Sequence, residues 1–280
     1  MSFSFSPEIK KHSLPDYRGW FSGKTVLITG ATSGVGRECA KLLTLLDSKV
    51  VPCGTNEDAM KSLIEEIKSI SGAEPEGFIA DFSDGKSLRD MIARIKKRFT
   101  VDVLINSAGF GYIDNFHDMP YEKIHSMLMV NIFAIVELCR AFLPDMMKKN
   151  GAGILNIGST ASFFATPGSA LYGSTKHFVL GFTDALHHEM LQRGVHVTGV
   201  YPGHIYSRFL ERSTGGKAKD WGKAMHPEDV AKMALRCLME NKRRCIPGIK
   251  NKLKVFASYI LPAPIIFRKV YSNASRYFRV

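Results

Sequence analysis

The chain has 280 residues, of which 45% are hydrophobic and 23% charged, and its formal net charge is +12. This ordinary globular composition suits one large α/β domain with a sizeable buried core. The five cysteines are odd in number and never spaced as Cys-x-x-Cys, so we expect a reducing compartment and neither a disulfide framework nor a zinc site.

The N-terminal segment lacks the apolar core of a signal peptide, and no uninterrupted apolar run reaches the ~18 residues of a membrane-spanning helix. We therefore expect a cytoplasmic protein. Residues 1–22 are predicted to form an extension, because Pro7, Pro15 and Gly19 punctuate them and no hydrophobic period runs through them.

From residue 23 onward, short β-branched runs alternate with amphipathic helical patterns, which is typical of βαβ units and a parallel sheet. Strands are predicted at 25–29, 49–53, 77–80, 101–106, 153–157, 195–201 and 245–246. Helices are predicted at about 34–46, 58–70, 88–99, 121–148, 171–193 and 227–240. The fourth helix is expected to be interrupted near Pro144, and the segment 213–224, which contains glycines and lysines, to be a mobile loop.

A glycine-rich segment, Thr29-Gly-Ala-Thr-Ser-Gly-Val-Gly36, joins the first predicted strand to the first predicted helix. One glycine permits a tight turn, another lets the backbone approach a phosphate, and the last permits close helix–strand packing. The helix N-terminus offers unpaired N–H groups and a positive dipole end to an anion. With a strand before it and a helix after it, the segment predicts a cradle for a nucleotide pyrophosphate rather than a ligand-free turn.

The second predicted strand is followed by Gly54, Thr55 and Asn56, with no carboxylate before Glu57. A carboxylate there would bind the adenosine ribose 2′-hydroxyl and favour NAD. A 2′-phosphate would not be repelled, and Thr55 or Asn56 can donate hydrogen bonds to it. No arginine follows the strand, and Arg37 is the nearest basic residue in sequence. We predict NADP(H) and keep NAD(H) as the alternative.

Tyr172 and Lys176 are four residues apart on one predicted helix, so they share a face. A phenol has a pKa near ~10, and an adjacent ammonium lowers it toward the range useful for proton exchange. Ser159 follows the strand predicted at 153–157, where parallel strands deliver functional groups at their carboxyl ends. A Tyr-x-x-x-Lys pair alone is more often a surface pair. Together with the glycine cradle, it predicts proton transfer beside a nicotinamide ring.

These motifs occur in the order found in the short-chain dehydrogenase/reductase family, and the chain resembles its classical, single-domain type from about residue 23 to 247. The resemblance implies a single-domain Rossmann fold over 23–248, with a doubly wound, mostly parallel sheet and helices on both faces. A basic and apolar helical tail, 249–280, follows this domain.

The resemblance also assigns the residues of the site, and it implies no metal-binding residue. It implies a catalytic set of Asn131, Ser159, Tyr172 and Lys176, in which Asn131 holds a water that links Lys176 to solvent. The cofactor-binding positions it implies are Gly30, Thr32, Ser33, Gly34, Val35, Gly36, Thr55, Asn56, Asp81, Phe82, Asn106, Ala108, Gly109, Tyr172, Lys176, Pro202, Gly203, Ile205 and Ser207. His204 and Tyr206 are less usual in the family and are expected to shape the substrate mouth.

The expected activity is NAD(P)H-dependent reduction of a ketone or aldehyde, or oxidation of the corresponding secondary alcohol. A catalytically silent NAD(P)-binding sensor or scaffold is the alternative, against which the intact Ser/Tyr/Lys set argues. A homodimer or homotetramer is implied by the resemblance, through the helices that carry Asn131 and Tyr172. No nucleic-acid partner is expected, because the chain lacks a recognisable binding module.

Residues 241–280 contain ten Lys and Arg and no Asp or Glu, and they surround an apolar run at 255–267. Two interpretations stay open: a membrane-surface helix or lid attracted by anionic headgroups, or a terminal helix packed on the domain or at a subunit interface. The tail also resembles that of a family branch linked to lipid-like carbonyl substrates, such as 3-keto sphingoid bases, acyl ketones or steroid ketones.

Overall fold

One seven-stranded sheet forms the centre of the protein, in a computed structural model that describes residues 17–217 and 224–277. The strands are β1 Thr25–Thr29, β2 Lys49–Gly54, β3 Phe78–Ile79, β4 Val103–Asn106, β5 Ala152–Ile157, β6 Val195–Val200 and β7 Arg244–Cys245. Their order is β3-β2-β1-β4-β5-β6-β7, and every neighbouring pair is parallel. The order reverses between β1 and β4, which creates a crevice at their carboxyl ends. The predicted doubly wound Rossmann fold is confirmed.

Helices pack on both faces of this sheet. They are α1 Arg18–Phe21, α2 Gly34–Leu45, α3 Glu57–Ser71, α4 Gly85–Arg98, α5 Tyr121–Leu128, α6 Ala134–Met146, α7 Ala170–Met190, α8 Phe209–Ser213, α9 Pro227–Met239, α10 Ile249–Ile260 and α11 Ala263–Ala274. Local signals set several ends. The Asn56 side chain accepts a hydrogen bond from the Ala59 N–H at 2.7 Å and caps α3, and Gly72 ends that helix in a left-handed conformation.

The strand residues alternate between two separate hydrophobic cores. Val26 and Ile28 of β1 pack on the face covered by α2, α3 and α9, whereas Leu27 packs on the face covered by α4, α6 and α7. Successive side chains of a strand point to opposite faces, so a sheet covered on both faces needs apolar residues at every position. This requirement explains the nearly continuous apolar runs of the central strands.

Residues 17–22 of the predicted N-terminal extension belong to the packed structure. Phe21 is fully buried and Tyr17 is 7% exposed, and both join the core on the α2 side of the sheet. The punctuating residues Pro7 and Pro15 lie outside the described residues. The ordered packing therefore begins before residue 23, because two aromatic rings in one helical turn bury enough apolar surface to dock.

The helix predicted at 121–148 is irregular at a different place from the predicted one. α5 passes into α6 through a π-helical turn, Met129–Phe133, whereas Pro144 lies inside α6, which continues to Met146. The predicted interruption near Pro144 is wrong, because a proline so close to a helix end removes little of the hydrogen-bonded ladder. The π-helical turn carries Asn131, and such turns are frequent at functional sites.

The same stretch, Tyr121–Met146, is long and apolar enough to cross a membrane by length and composition alone. In this fold Leu138, Phe142 and Met146 of α6 are buried against the sheet. The apolar character of the stretch therefore has a sufficient explanation in core packing.

Only part of the segment predicted as a mobile loop, 213–224, can be compared with the structure. Ser213 ends the short helix α8, which was not predicted, and residues 218–223 lie outside the described residues. The tail is helical up to the end of its described part. Two helices, α10 and α11, are separated by Leu261 and Pro262.

Candidate active site

A cavity of about 1090 Å³ lies at the carboxyl ends of the strands, slightly above the usual range for ligand pockets. Most of the predicted site residues line it: Gly30, Thr32, Ser33, Gly34, Val35, Thr55, Asp81, Phe82, Ala108, Gly109, Ser159, Tyr172, Lys176, Pro202, Gly203, Ile205 and Ser207. The other four, Gly36, Asn56, Asn106 and Asn131, are not part of its lining. The parallel topology thus brings together side chains that are up to 177 positions apart in sequence, from Gly30 to Ser207.

The glycine loop has no room for side chains at two of its positions. Gly30 has φ +65°, and a Cβ on it would lie 2.8 Å from the Ala108 backbone. A Cβ on Gly36 would lie 2.5 Å from the Gly30 carbonyl oxygen. The Thr29 hydroxyl accepts hydrogen bonds from the Ser107 and Ala108 N–H groups at 3.2 Å, which ties the loop after β4 to the end of β1. The tight loop and the α2 N-terminus fit a dinucleotide pyrophosphate.

Some of the side chains near the end of β2 already form hydrogen bonds or ion pairs with other residues of the protein. Thr55 is exposed at the cavity, whereas Asn56 uses its carboxamide oxygen to cap α3. Arg37 donates to the Ala59 carbonyl at 3.1 Å and pairs with Glu66 at 2.9 Å, so its guanidinium is directed to α3. Asp81, beyond β3, accepts hydrogen bonds from the Ser83 N–H and hydroxyl at 2.8 and 2.7 Å, which orders the cavity wall there.

Two asparagines outside the cavity lining connect the elements that carry the site. Asn106 donates to the Asn156 side-chain oxygen at 2.8 Å, which joins β4 to β5 inside the sheet. Asn131 is fully buried, and its carboxamide exchanges hydrogen bonds with the Phe110 backbone at 3.1 and 2.9 Å. It also donates to the Thr175 hydroxyl at 3.1 Å, on the helix of Tyr172 and Lys176. Asn131 therefore fixes α7 relative to the loop after β4.

Ser159, Tyr172 and Lys176 meet at the floor of the cavity. The Ser159 hydroxyl is near enough to the Tyr172 hydroxyl to favour the ionised phenol and so to oppose part of the rise in its pKa. The Lys176 ammonium donates to the Ile157 carbonyl at 2.9 Å and lies 5.8 Å from the centroid of the Tyr172 ring. The Ser162 hydroxyl donates to the Lys176 carbonyl at 2.7 Å. This bond attaches the short turn whose N-cap is Ser159 to helix α7.

Burial has the largest effect on the pKa values of Tyr172 and Lys176. It raises the pKa of Tyr172 to about 12, against a smaller opposing effect of Ser159. It lowers the pKa of Lys176, which is 5% exposed, to about 8. The predicted lowering of the phenol pKa by Lys176 is therefore not found: burial sets the direction of the shift, and the opposing effect comes from Ser159. The site favours a protonated phenol, which is the form that can act as an acid.

Met225 forms two backbone hydrogen bonds with the turn after β6. The Met225 N–H donates to the His204 carbonyl and the Tyr206 N–H to the Met225 carbonyl, each at 2.9 Å. Burial, followed by the charge of Lys254, lowers the pKa of His204 to about 4. The side-chain oxygen of Ser207 accepts from the Phe209 N–H at 3.3 Å at the start of α8.

Sequence reasoning missed several residues of the cavity wall. The Phe209 ring of α8 lies 5.4 Å from the Tyr172 ring. The tail contributes Lys254 of α10, together with Val270, Asn273, Ala274 and Arg276. A Cβ on Gly203 would lie 2.4 Å from the Asn251 side chain, so α10 packs directly on the Pro202–Gly203 turn. Helical periodicity could have identified α10, but not the place where it docks. Among the described residues, no group of three His, Cys, Asp or Glu side chains is arranged to hold a metal ion.

A family model for short chain dehydrogenases matches residues 24–217, which is more than half of the chain. The chain belongs to the short-chain dehydrogenase/reductase family. Dehydrogenase/reductase SDR family member 7B of Xenopus tropicalis is similar to it, with 32% identity over 256 residues, 86% of this chain and 82% of that protein. Membership makes the chain an oxidoreductase of this family, as the sequence motifs predicted.

Two solved structures of short-chain dehydrogenases resemble this one. The enzyme from Sphingobium yanoikuyae, in complex with NADPH, has a TM-score of 0.77 and 25% identity, over 85% of this chain and 93% of that one. The enzyme from Burkholderia phymatum, in complex with NAD, shares the fold with a TM-score of 0.76 and 24% identity, over 84% and 92% of the two chains. The fold is therefore found with either nicotinamide dinucleotide.

Proposed function

We propose that this short-chain dehydrogenase/reductase reduces a ketone or aldehyde, or oxidises the corresponding secondary alcohol, with Tyr172 as the group that exchanges the proton. The observation that carries the proposal is that Ser159, Tyr172 and Lys176 line the same cavity as the glycine loop. When bound, a nicotinamide ring supplies a hydride to the carbonyl carbon or accepts one in the reverse direction. A protonated phenol and a neighbouring hydroxyl suit a carbonyl oxygen that gains negative charge.

Each catalytic residue has a role in this proposal. Ser159 holds the carbonyl oxygen, and Tyr172 donates its proton to it. Lys176 contacts the cofactor ribose and, when protonated, stabilises the phenolate that remains. Asn131 orients α7 through Thr175 and, by family resemblance, holds the water that returns a proton through Lys176.

The proposed cofactor set follows the cavity from one end to the other. The loop from Gly30 to Gly36 would hold the pyrophosphate, and Thr55, Asn56, Asp81 and Phe82 would hold the adenosine. Asn106, Ala108 and Gly109 support the middle, while Pro202, Gly203, Ile205 and Ser207 hold the nicotinamide end.

A panel of ketones and aldehydes, assayed with NADPH and with NADH, tests the activity through the loss of cofactor absorbance. Turnover of at least one carbonyl compound is expected. Tight cofactor binding without oxidation over the whole panel, detected by quenching of cofactor fluorescence, would instead support the catalytically silent scaffold. The placement of Tyr172 and Ser159 in one cavity favours turnover, because a scaffold gains nothing from a buried, protonated phenol.

NADP(H) is the proposed cofactor, with NAD(H) as the alternative. The cavity wall at the end of β2 offers the exposed hydroxyl of Thr55 and no carboxylate between Cys53 and Asn56. Arg37 adds no support, since it is paired with Glu66. The proposed preference for NADP(H) therefore depends on the absence of a carboxylate that would repel the 2′-phosphate, and not on a positively charged residue that would bind it.

Thr55→Asp is expected to lower kcat/KM for NADPH by roughly 100-fold, because a carboxylate beside a 2′-phosphate costs several kcal/mol. The value for NADH should change little or rise. Steady-state kinetics with both cofactors measures the effect, and Thr55→Val serves as the uncharged control. A wild-type protein that already prefers NADH would contradict the proposal.

We also propose a lipid-like carbonyl substrate and a cytoplasmic protein that binds peripherally to a membrane surface through the tail. Ile249, Leu253, Phe256 and Ile260 form a stripe with helical spacing along α10. Each is at least 60% exposed, and the helix carries lysines beside the stripe. A basic amphipathic helix with an uncovered apolar face fits an anionic bilayer surface. This exposure argues against the alternative in which that face packs on its own domain.

The double substitution Leu253→Ser/Phe256→Ser is expected to reduce binding to vesicles of phosphatidylcholine with phosphatidylserine by at least tenfold, since both side chains lose their burial in lipid. Co-sedimentation measures the bound fraction. Leu191→Ser, at an exposed leucine outside the tail, is the matched control. Equal binding by the double variant, or self-association that depends on the same residues, would contradict membrane docking.

A homodimer or homotetramer remains part of the proposal. The helices that carry Asn131 and Tyr172 leave apolar side chains exposed, among them Tyr121, Leu128 and Phe178. These surfaces support self-association through the same helices.

A further inference from the structure

The charges that line the active-site cavity are strongly unbalanced. Among the described residues that line it, six carry a positive side chain and one, Asp81, carries a negative side chain. The positive residues are Lys123, Lys176, Arg208, Arg212, Lys254 and Arg276. Lys176 has its role in the proposed chemistry, but Lys254 and Arg276 belong to the tail and have no role in it. A wall of one charge sign attracts ligands of the other.

Lys254 is placed by contacts on two sides. Its ammonium lies 4.9 Å from the centroid of the Phe164 ring, which also lines the cavity and follows the turn that Ser159 caps. Its charge also acts on His204, directly after the Pro202–Gly203 turn. Lys254 is therefore at the end of the cavity where the carbonyl substrate would be held.

The residues that Lys254 approaches follow β5 and β6, whereas Thr55 and the glycine loop follow β2 and β1. Thr55 follows β2 and His204 follows β6, and these strands are four steps apart in the sheet. Neighbouring strands are about 4.8 Å apart, so the two ends are separated by roughly 19 Å. The glycine loop at the end of β1 is about 14 Å from the end of β6 by the same measure. Lys254 is thus left available to another anion.

The environment of Lys254 disfavours its positive charge. Burial and then the Lys269 ammonium lower the pKa of Lys254, and both disfavour its charged form. The tail from residue 241 to 280 contains no Asp or Glu that could offset these cations. A bound anion stabilises the charged form of a lysine whose surroundings disfavour that form.

We propose that Lys254, assisted by Arg276, forms an anion subsite at the substrate end of the cavity, so that the substrate is a carbonyl compound carrying a terminal carboxylate or phosphate on an apolar chain. Phe164 and Val270 line the same region and suit the apolar chain. This proposal deepens the proposed function and rests on it.

The test uses methyl ketones with a terminal carboxylate on chains of increasing length, their methyl esters, and the corresponding phosphate monoesters. For the wild-type protein, KM of the best anionic ketone is expected to be about tenfold below that of its neutral ester, because a charge-assisted hydrogen bond is lost with the ester. Comparison of the carboxylate with the phosphate shows which anion fits. Lys254→Met should raise KM for the anion by about the same factor and change KM for the ester much less, so that the preference for the anion is lost.

Two further variants test whether the preference for the anion depends specifically on Lys254. Lys252→Met, on the same helix but outside the cavity lining, should retain the preference for the anion, and Lys254→Arg should restore it. Equal KM for acid and ester in the wild type, or a preference that survives Lys254→Met, would overturn the subsite. If neither ketone is turned over by the wild type while the cofactor binds, the proposed function itself fails instead.

Discussion

Tyr172→Phe is expected to lower kcat by about three orders of magnitude, which is within the usual contribution of a positioned general acid. The substitution removes the phenol hydroxyl and leaves the ring, whose centroid lies 5.4 Å from that of Phe209. The fold and the cofactor cradle should therefore be unchanged, and the cofactor Kd should stay within about twofold. Single-turnover kinetics and fluorescence titration with NADPH measure the two quantities separately.

Tyr201→Phe is the matched control for this experiment. Tyr201 is also a buried tyrosine near the Ser159 turn, and its ring packs 5.1 Å from that of Phe163. It does not line the cavity, so loss of its hydroxyl should leave kcat near the wild-type value. Near-normal turnover by Tyr172→Phe would remove the basis of the proposed mechanism.

Lys176→Met is expected to abolish turnover while changing how stability depends on pH. Burial lowers the Lys176 pKa from 10.5 to about 8 in the folded state. Between pH 8 and pH 10.5 the unfolded state binds more protons than the folded state. Lys176 therefore makes the free energy of unfolding increase with pH over this range. Below pH 8 the charged form is present in both states, and its burial costs about 3 kcal/mol in full.

The variant lacks this titration. Relative to Lys176→Met, the free energy of unfolding of the wild type is expected to rise by about 2 kcal/mol between pH 7 and pH 9.5. Urea denaturation of both proteins at the two pH values measures the difference. Lys97→Met, at an exposed lysine of α4, is the control, because a charge that stays in water in both states has no such dependence. A constant difference between wild type and Lys176→Met would show that the ammonium is well solvated.

Taken together, the two variants separate proton donation from the electrostatic cost of the site. A buried lysine held against the Ile157 carbonyl destabilises the protein at neutral pH. Active sites commonly carry such a cost, because groups that must change charge during turnover are kept in a desolvated place. Loss of activity together with a gain in relative stability at neutral pH would identify that cost here.

Much of the fold could be predicted because its signals are local. The β1 and α2 boundaries follow from an apolar run, a glycine turn and a helical period, all within about twenty residues of each other. The strands covered on both faces are recognisable because every position must be apolar. The π-helical turn Met129–Phe133 carries no comparable signal, and the only visible irregularity in that helix, Pro144, indicated the wrong place.

The site was predictable to the extent that it lies at strand ends. Glycines after β1 and Ser159 after β5 are brought to one edge by any parallel sheet that contains these strands. Contacts between remote segments were not accessible in this way. The docking of α10 on the Pro202–Gly203 turn and the approach of Lys254 to Phe164 depend on the packing of a helix far along the chain.

Motifs in a familiar order identified the family by resemblance, and local spacing and periodicity were enough to predict the parallel sheet and the residues for proton transfer, because these signals act over short distances. The tertiary structure alone decided that burial would raise the pKa of Tyr172 and lower that of Lys176. It also decided that a basic tail would form one wall of the cavity. Desolvation and long-range packing depend on which segments meet in space, and no local pattern contains that information.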